Sequence, residues 1–130
     1  MGAYDTGMIR QQKFSIRFLF RGFSRHVSGR LGTILYMFVA RCVIELELYG
    51  IGSLKDKRSV LKPIMARLPK QFNVAIAEVD HHDSWNSAVI GLAGVGNDSR
   101  YLQGLMEKAV GWLEQNYPDV PIGVYSIEID

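Results

Sequence analysis

The chain has 130 residues, with 15 lysines and arginines, 13 aspartates and glutamates, and a single cysteine. That length fits one domain with a large enough core to need no disulfide or metal staple, and one cysteine cannot form an internal disulfide, which excludes a secreted disulfide scaffold. A hydrophobic fraction of 48% with 22% charged residues excludes a disordered chain, and a formal net charge of +2 is too small to mark a nucleic-acid binder by itself.

The charge is uneven along the chain. Residues 1–36 carry six basic residues against Asp5, a net +5, so residues 37–130 carry nine basic and twelve acidic groups, a net −3. Three readings compete for the front segment. An Arg-rich, acid-poor stretch resembles a targeting peptide, a basic arm can meet RNA or a membrane surface, and translation starting at Met37 would make it an extended gene call. The expectation is an extended gene call or a disordered basic extension over 1–36, followed by one domain over 37–130. The longest apolar stretch, Leu31 to Ala40, is closed by Arg30 and Arg41. It is far shorter than the roughly 20 residues a spanning helix needs, so no membrane is expected among the partners.

From Phe38 the pattern sharpens. Phe38, Ala40, Cys42, Ile44, Leu46 and Leu48 alternate with Val39, Arg41, Val43, Glu45 and Glu47, the period of a strand with one buried face. Gly50 and Gly52 end it. Ser53 with Asp56 three residues later approximates a capping box, and Leu54, Leu61, Ile64, Met65 and Leu68 fall on one helical stripe. Pro63 interrupts that stripe. Either the helix kinks there, or it starts late with Ser59 as its cap.

Phe72 to Val79 reads as a second strand, apolar on nearly both faces, and Asp80 to Ser84 as a polar turn. Trp85 to Val95 reads as a third strand, with Gly91 and Gly94 marking a bulge or a close neighbour. Asp98 caps a second helix whose buried stripe is Leu102, Leu105, Met106, Ala109 and Leu113. Val124 to Ile129 is the last strand. The order βαββαβ is the ferredoxin-like α+β arrangement, a four-stranded antiparallel sheet with two helices on one face. In that topology the loop after the first strand and the hairpin after the second share one end of the sheet. Lys55-Asp56-Lys57-Arg58 and Asp80-His81-His82-Asp83 should therefore be neighbours.

The segments SLKDKRSVLK (Ser53–Lys62), FNVAIAEVDHHDSW (Phe72–Trp85) and GVGND (Gly94–Asp98) resemble the YlxP-like family of small bacterial proteins of unknown function. The resemblance covers about residues 37–130 and implies a ferredoxin-like fold and a start at Met37. The family's genes often sit beside those for translation initiation and ribosome maturation, which implies a translation-linked role. Fold alone implies none.

Lys55, Lys57, Arg58 and Lys62 lie at or near a helix N-terminus, where free backbone N–H groups favour an anion. Lysine and arginine both suit phosphate oxygens. The competing reading is a solvated helix start with Arg58 paired to Asp80 or Asp83. The polar turn, Asp80, His81, His82 and Asp83, offers metal-ligating residue types, but adjacent strand residues point to opposite faces and no H-x-x-x-H spacing occurs. A hydrogen-bonded turn, with Asp80 capping the hairpin and His81 held by a carbonyl, is the simpler reading. Trp85 could stack on a base, though closing the core is the favoured role.

The open sheet face carries Val39, Arg41, Val43, Glu45 and Glu47. Its glutamates disfavour RNA recognition by stacked aromatics on the sheet face, and its apolar content points to a homo-oligomer. Cys42 reads as a small buried hydrophobe.

The expectation is thus a non-enzymatic, cytoplasmic RNA- or anion-binding protein. Its anticipated partner is ribosomal RNA or a ribosomal subunit, its binding residues are Lys55, Lys57, Arg58 and Lys62, and it has no catalytic set, no metal and no cofactor. The alternative is an oligomeric small-molecule- or metal-binding regulator using the turn at Asp80, His81 and Asp83.

Overall fold

The computed structural model describes residues 37–130 in full, together with the backbone of 14–18, 26–28 and 34–36. Three short strands come from the N-terminal segment: β1 (Phe14–Phe18), β2 (His26–Ser28) and β3 (Ile34–Tyr36). The domain then runs β4 (Phe38–Glu47), α1 (Leu54–Phe72), β5 (Ala75–Asp80), β6 (Ser87–Gly96), α2 (Ser99–Asn116) and β7 (Ile122–Ile129). The expectation for residues 1–36 as a whole lies outside the described residues.

The βαββαβ unit forms a four-stranded antiparallel sheet in the order β7-β4-β6-β5, and β1 adds a fifth strand parallel to β7. β2 and β3 pair with each other, apart from this sheet. The ferredoxin-like α+β reading holds. β4 is central, paired to β6 from Phe38↔Gly96 through Glu47↔Ser87 and to β7 from Ala40↔Ile129 through Leu46↔Ile122. Its alternation works as expected: Ala40, Cys42, Ile44 and Leu46 are fully buried, while Arg41 and Val43 are exposed.

The helices supply the other half of the core. Leu61, Ile64 and Leu68 of α1, and Leu102, Met106, Ala109 and Leu113 of α2, are buried against the inward strand residues. α2 starts where expected, with the Asp98 carboxylate accepting from the N–H groups of Arg100 and Tyr101. α1 resolves the open question at its start. The cap is Ser53, whose Oγ accepts from Asp56 N at 3.1 Å. Ser59 lies inside the helix, donating its hydroxyl to the Lys55 carbonyl. The helix runs through both Pro63 and Pro69 and ends at Asn73, which adopts a left-handed conformation (φ 50°) and donates its N–H to Pro69 O.

Three strand boundaries need correction. The second strand begins at Ala75 rather than Phe72, because Phe72 still belongs to α1 and Asn73 makes the left-handed turn that ends it. The third begins at Ser87, so Trp85 lies in the loop before it. The last begins at Ile122. Gly91 marks both a close neighbour and a bulge: a Cβ there would stand 3.0 Å from Val79 Cγ1, where β5 breaks register against β6 between Glu78 and Asp80. Among the described residues no helix is long and apolar enough to cross a membrane.

Candidate functional site

The two segments expected to meet at one end of the sheet do meet there, through Lys57. Its side chain is only 2% exposed, the one buried charged residue among those described. The ammonium lies 2.6 Å from His81 O, 2.8 Å from Ser84 O and 2.9 Å from Glu78 Oε2. An ammonium has three N–H donors and no acceptor; two of them serve the carbonyls, and the Glu78 carboxylate completes the surroundings as an ion pair. The cost of taking a charge out of water is offset here by one carboxylate and two carbonyl dipoles. This corrects the expectation that Lys57 contacts phosphate: the residue is spent inside the protein.

Helical spacing carried the signal for this. Position 57 precedes Leu61, Ile64 and Leu68 by 4, 7 and 11 residues, which puts it on the buried stripe of α1. Its neighbours in the basic run turn the other way. Lys55, Arg58 and Lys62 are all exposed, and at intervals of three and four they share one face of the helix. Arg58 makes no ion pair with Asp80 or Asp83; the cross-link between the segments is Lys57 to Glu78 instead.

The loop from His81 to Asn86 is held at several points. His81 adopts φ 59°, the left-handed region. There its N–H donates to the Asp80 carboxylate at 2.7 Å, while its carbonyl accepts from both Lys57 Nζ and Ser84 N. The His81 ring engages Ser87 Oγ through Nδ1 at 2.9 Å, and that hydroxyl lies 3.2 Å from Ser84 Oγ, which donates to Asn86 Oδ1. Asn86 O accepts from Leu48 N, tying the loop to the end of β4. His82 points away from this chain and bonds Glu78 O. Among the described residues no three His, Cys, Asp or Glu side chains converge as metal ligands do.

Trp85 sits on this fastened loop and is 51% exposed, which corrects the favoured expectation that it closes the core. The core is filled without it, because Leu48, Ala88 and Ile90 already occupy the inward positions at this end. Trp85 lines an open depression of about 420 Å³ with Ile51, Asp83 and Asn86. A second exposed aromatic, Tyr49, follows Leu48 directly. Its hydroxyl donates to Glu47 Oε1 at 2.6 Å, and that hydrogen bond together with the carboxylate's charge holds the phenol above its usual pKa. The sequence reading missed Tyr49 because it follows the alternating run. Its one signal was being an aromatic next to Gly50, which has a positive φ of 72°.

This end of the domain therefore carries an exposed indole on a fastened loop, a phenol and three solvated cations, interspersed with Asp56, Asp80 and Asp83. It suits stacking and anion contact better than acid–base work, which needs a proton donor or acceptor poised in a cleft.

The family model described as a protein of unknown function, DUF503, matches residues 39–126. The chain belongs to this family. The DUF503 match covers the whole βαββαβ unit up to the middle of β7, including the Lys57 bridge and the loop bearing Trp85. A curated relative, the uncharacterized protein YlxP of Bacillus subtilis (strain 168), is 32% identical over 76 residues, covering 58% of this chain and 82% of its own length. Membership carries the fold and leaves the activity open.

Proposed function

We propose that the protein is a non-enzymatic RNA-binding protein of the translation apparatus, engaging ribosomal RNA with the sheet end that bears Trp85. The observation that carries this reading is the half-exposed indole on a loop fixed by Lys57, Ser84 and Asn86. An apolar ring half in water on a loop so fastened is open to a planar partner, and base–aromatic stacking is worth about 1–3 kcal/mol per base. Tyr49 offers a second ring. Lys55, Arg58 and Lys62 supply phosphate contacts from one helix face. The link to translation rests on the gene neighbourhood that the family resemblance implies.

The charge balance limits the mode. Residues 37–130 are net negative, so broad affinity for any RNA is not expected, and recognition falls to stacking plus a few phosphates. Three phosphate contacts give a slope of log K against log salt of about −2 for a single strand. The test is co-sedimentation of the full chain with small ribosomal subunits at low and physiological salt, beside a Trp85→Ala/Arg58→Glu variant. Both positions are exposed, so the variant should keep its stability. Saturable binding lost in that variant supports the reading. No binding at either salt overturns it.

A further inference from the structure

We propose that the open face of the sheet is a docking surface for a second copy of this chain, with Arg41 of one copy meeting Glu45 of the other. This surface is distinct from the Trp85 end, and the inference stands whether or not that end binds RNA.

Both helices pack on one side of the sheet, and on the other side, among the described residues, Val89 is buried while its valine neighbours are not. Val43, Val79, Val95 and Val124 there are between 41% and 66% exposed. Isolated valines in water need no explanation. These lie on all four strands of one continuous face, which is less usual for a monomer. Strands of six to ten residues, at a rise of about 3.4 Å and a spacing of about 4.8 Å, make a face of about 550 Å² in plan. Side-chain relief adds to that. The area sits near the lower end of specific interfaces, about 600 Å² per partner.

The spacing of one cation and one acid on β4 points to the occupant, on a face that also carries Glu128 beside Arg41. Along the open side of β4 the order is Val39, Arg41, Val43, Glu45, Glu47, with a cation two residues before Val43 and an acid two residues after it. A two-fold axis lying between stacked sheets, perpendicular to the strands and over Val43, superimposes each strand on its antiparallel copy. It sets Val43 against Val43 and Arg41 against the partner's Glu45. The register carries this across β6. Gly91 shares the Val43 row, Ala93 shares the Arg41 row and Val89 the Glu45 row. Gly91 thus faces itself and Ala93 stays exposed in the Arg41 row, while Val89 is already buried within its own chain. Rows next to the axis are the least displaced by the twist of roughly 30° between packed sheets. Glu47 and Ser87 fall at the rim, where polar groups stay wet.

The pairing also answers a local imbalance. Glu45 has no cation beside it among the described residues, and Arg41 reaches Glu128 and Asp130 only at 3.5 and 3.6 Å while remaining half-exposed. A guanidinium has five N–H donors, so Arg41 can keep these contacts and take a third carboxylate.

The test is sedimentation equilibrium of the full chain across low to high micromolar concentration. The expected result is a reversible dimer. Arg41→Glu and Glu45→Arg should each weaken association about tenfold or more, and the double variant, which restores the pair with its signs exchanged, should return it to within about threefold of the original. A full chain that stays monomeric throughout overturns the proposal, including the case in which residues 1–36 cover the face. So does a dimer that neither single variant weakens, or a double variant no better than the singles.

Discussion

Helix α1 is fastened by a cation at each end, and the two fastenings work differently. Near its start, Lys57 is buried and its ammonium meets three oxygens from β5 and the following loop. Near its end, Arg67 stays exposed and sits close to two rings, with Cζ 5.1 Å from the Trp112 centroid and 5.5 Å from that of Tyr117. Nη1 also donates to the Tyr117 hydroxyl at 2.8 Å, and Phe72 meets Trp112 edge-on at 6.0 Å. Lys57 organises a loop by filling its carbonyls; Arg67 joins two helices by covering apolar surface. The compact ammonium suits a cage of oxygens, and the planar guanidinium suits a ring face. A buried cation is the costlier one to remove, because its partners stay behind without water.

The sharpest way to test the contrast is Lys57→Met. It should cost about 3 kcal/mol in urea unfolding, because Glu78 and two carbonyls lose their donor in a buried place. Adding Glu78→Leu should recover part of this, since removing both partners of a buried pair costs less than removing one. Unchanged stability in Lys57→Met would end the idea that this lysine organises the loop.

Such comparisons belong below pH 9, for a reason that is itself testable. Burial pushes the Cys42 thiol from 9.0 up to about 12. The native state holds that proton while the unfolded chain releases it first. The stability linked to it is complete below about pH 9 and declines as pH rises toward 12, by up to about 1.4 kcal/mol per pH unit. Unfolding curves of the wild type and Cys42→Ala should diverge in slope only in that window; parallel curves would contradict it.

Arg67→Ala should cost about 1 kcal/mol, the scale of an exposed cation–π contact with some lost packing. A loss equal to that of Lys57→Met would erase the distinction between the two ends. Smallest of all, Trp85→Ala should shift stability by less than about 0.5 kcal/mol, as for surface positions that carry no packing. A larger loss would mean that the indole is structural after all, and the RNA reading would lose its main support.

How much of this was visible beforehand follows from where single residues face. The alternation of β4, the Asp98 cap and the neighbourhood of the two loops were all legible, because each rests on a local pattern or on topology. The role of Lys57 was hidden by its company: a lysine between Asp56 and Arg58 looks solvated, and only its spacing to Leu61, Ile64 and Leu68 contradicts that. Phe72 was drawn into the wrong element because FNVAIAEV is apolar on both sides, and only Asn73 in the left-handed region marks the break. Trp85 misled for a third reason. Aromatics beside strands usually close cores, and whether a core still needs closing depends on residues distant in sequence.

The chain has two tryptophans, and the fold puts them to different uses. Trp112 is half-buried under Arg67 in the helix clamp, and Trp85 stands in solvent at the opposite fastening. Their intrinsic fluorescence is therefore divided by position. Emission from the clamp indole should follow the docking of one helix on the other, and emission from the loop indole should respond to whatever settles against it. With one or the other changed to phenylalanine, the same spectrometer trace becomes a record of folding or a record of ligand contact, with no dye attached to the protein.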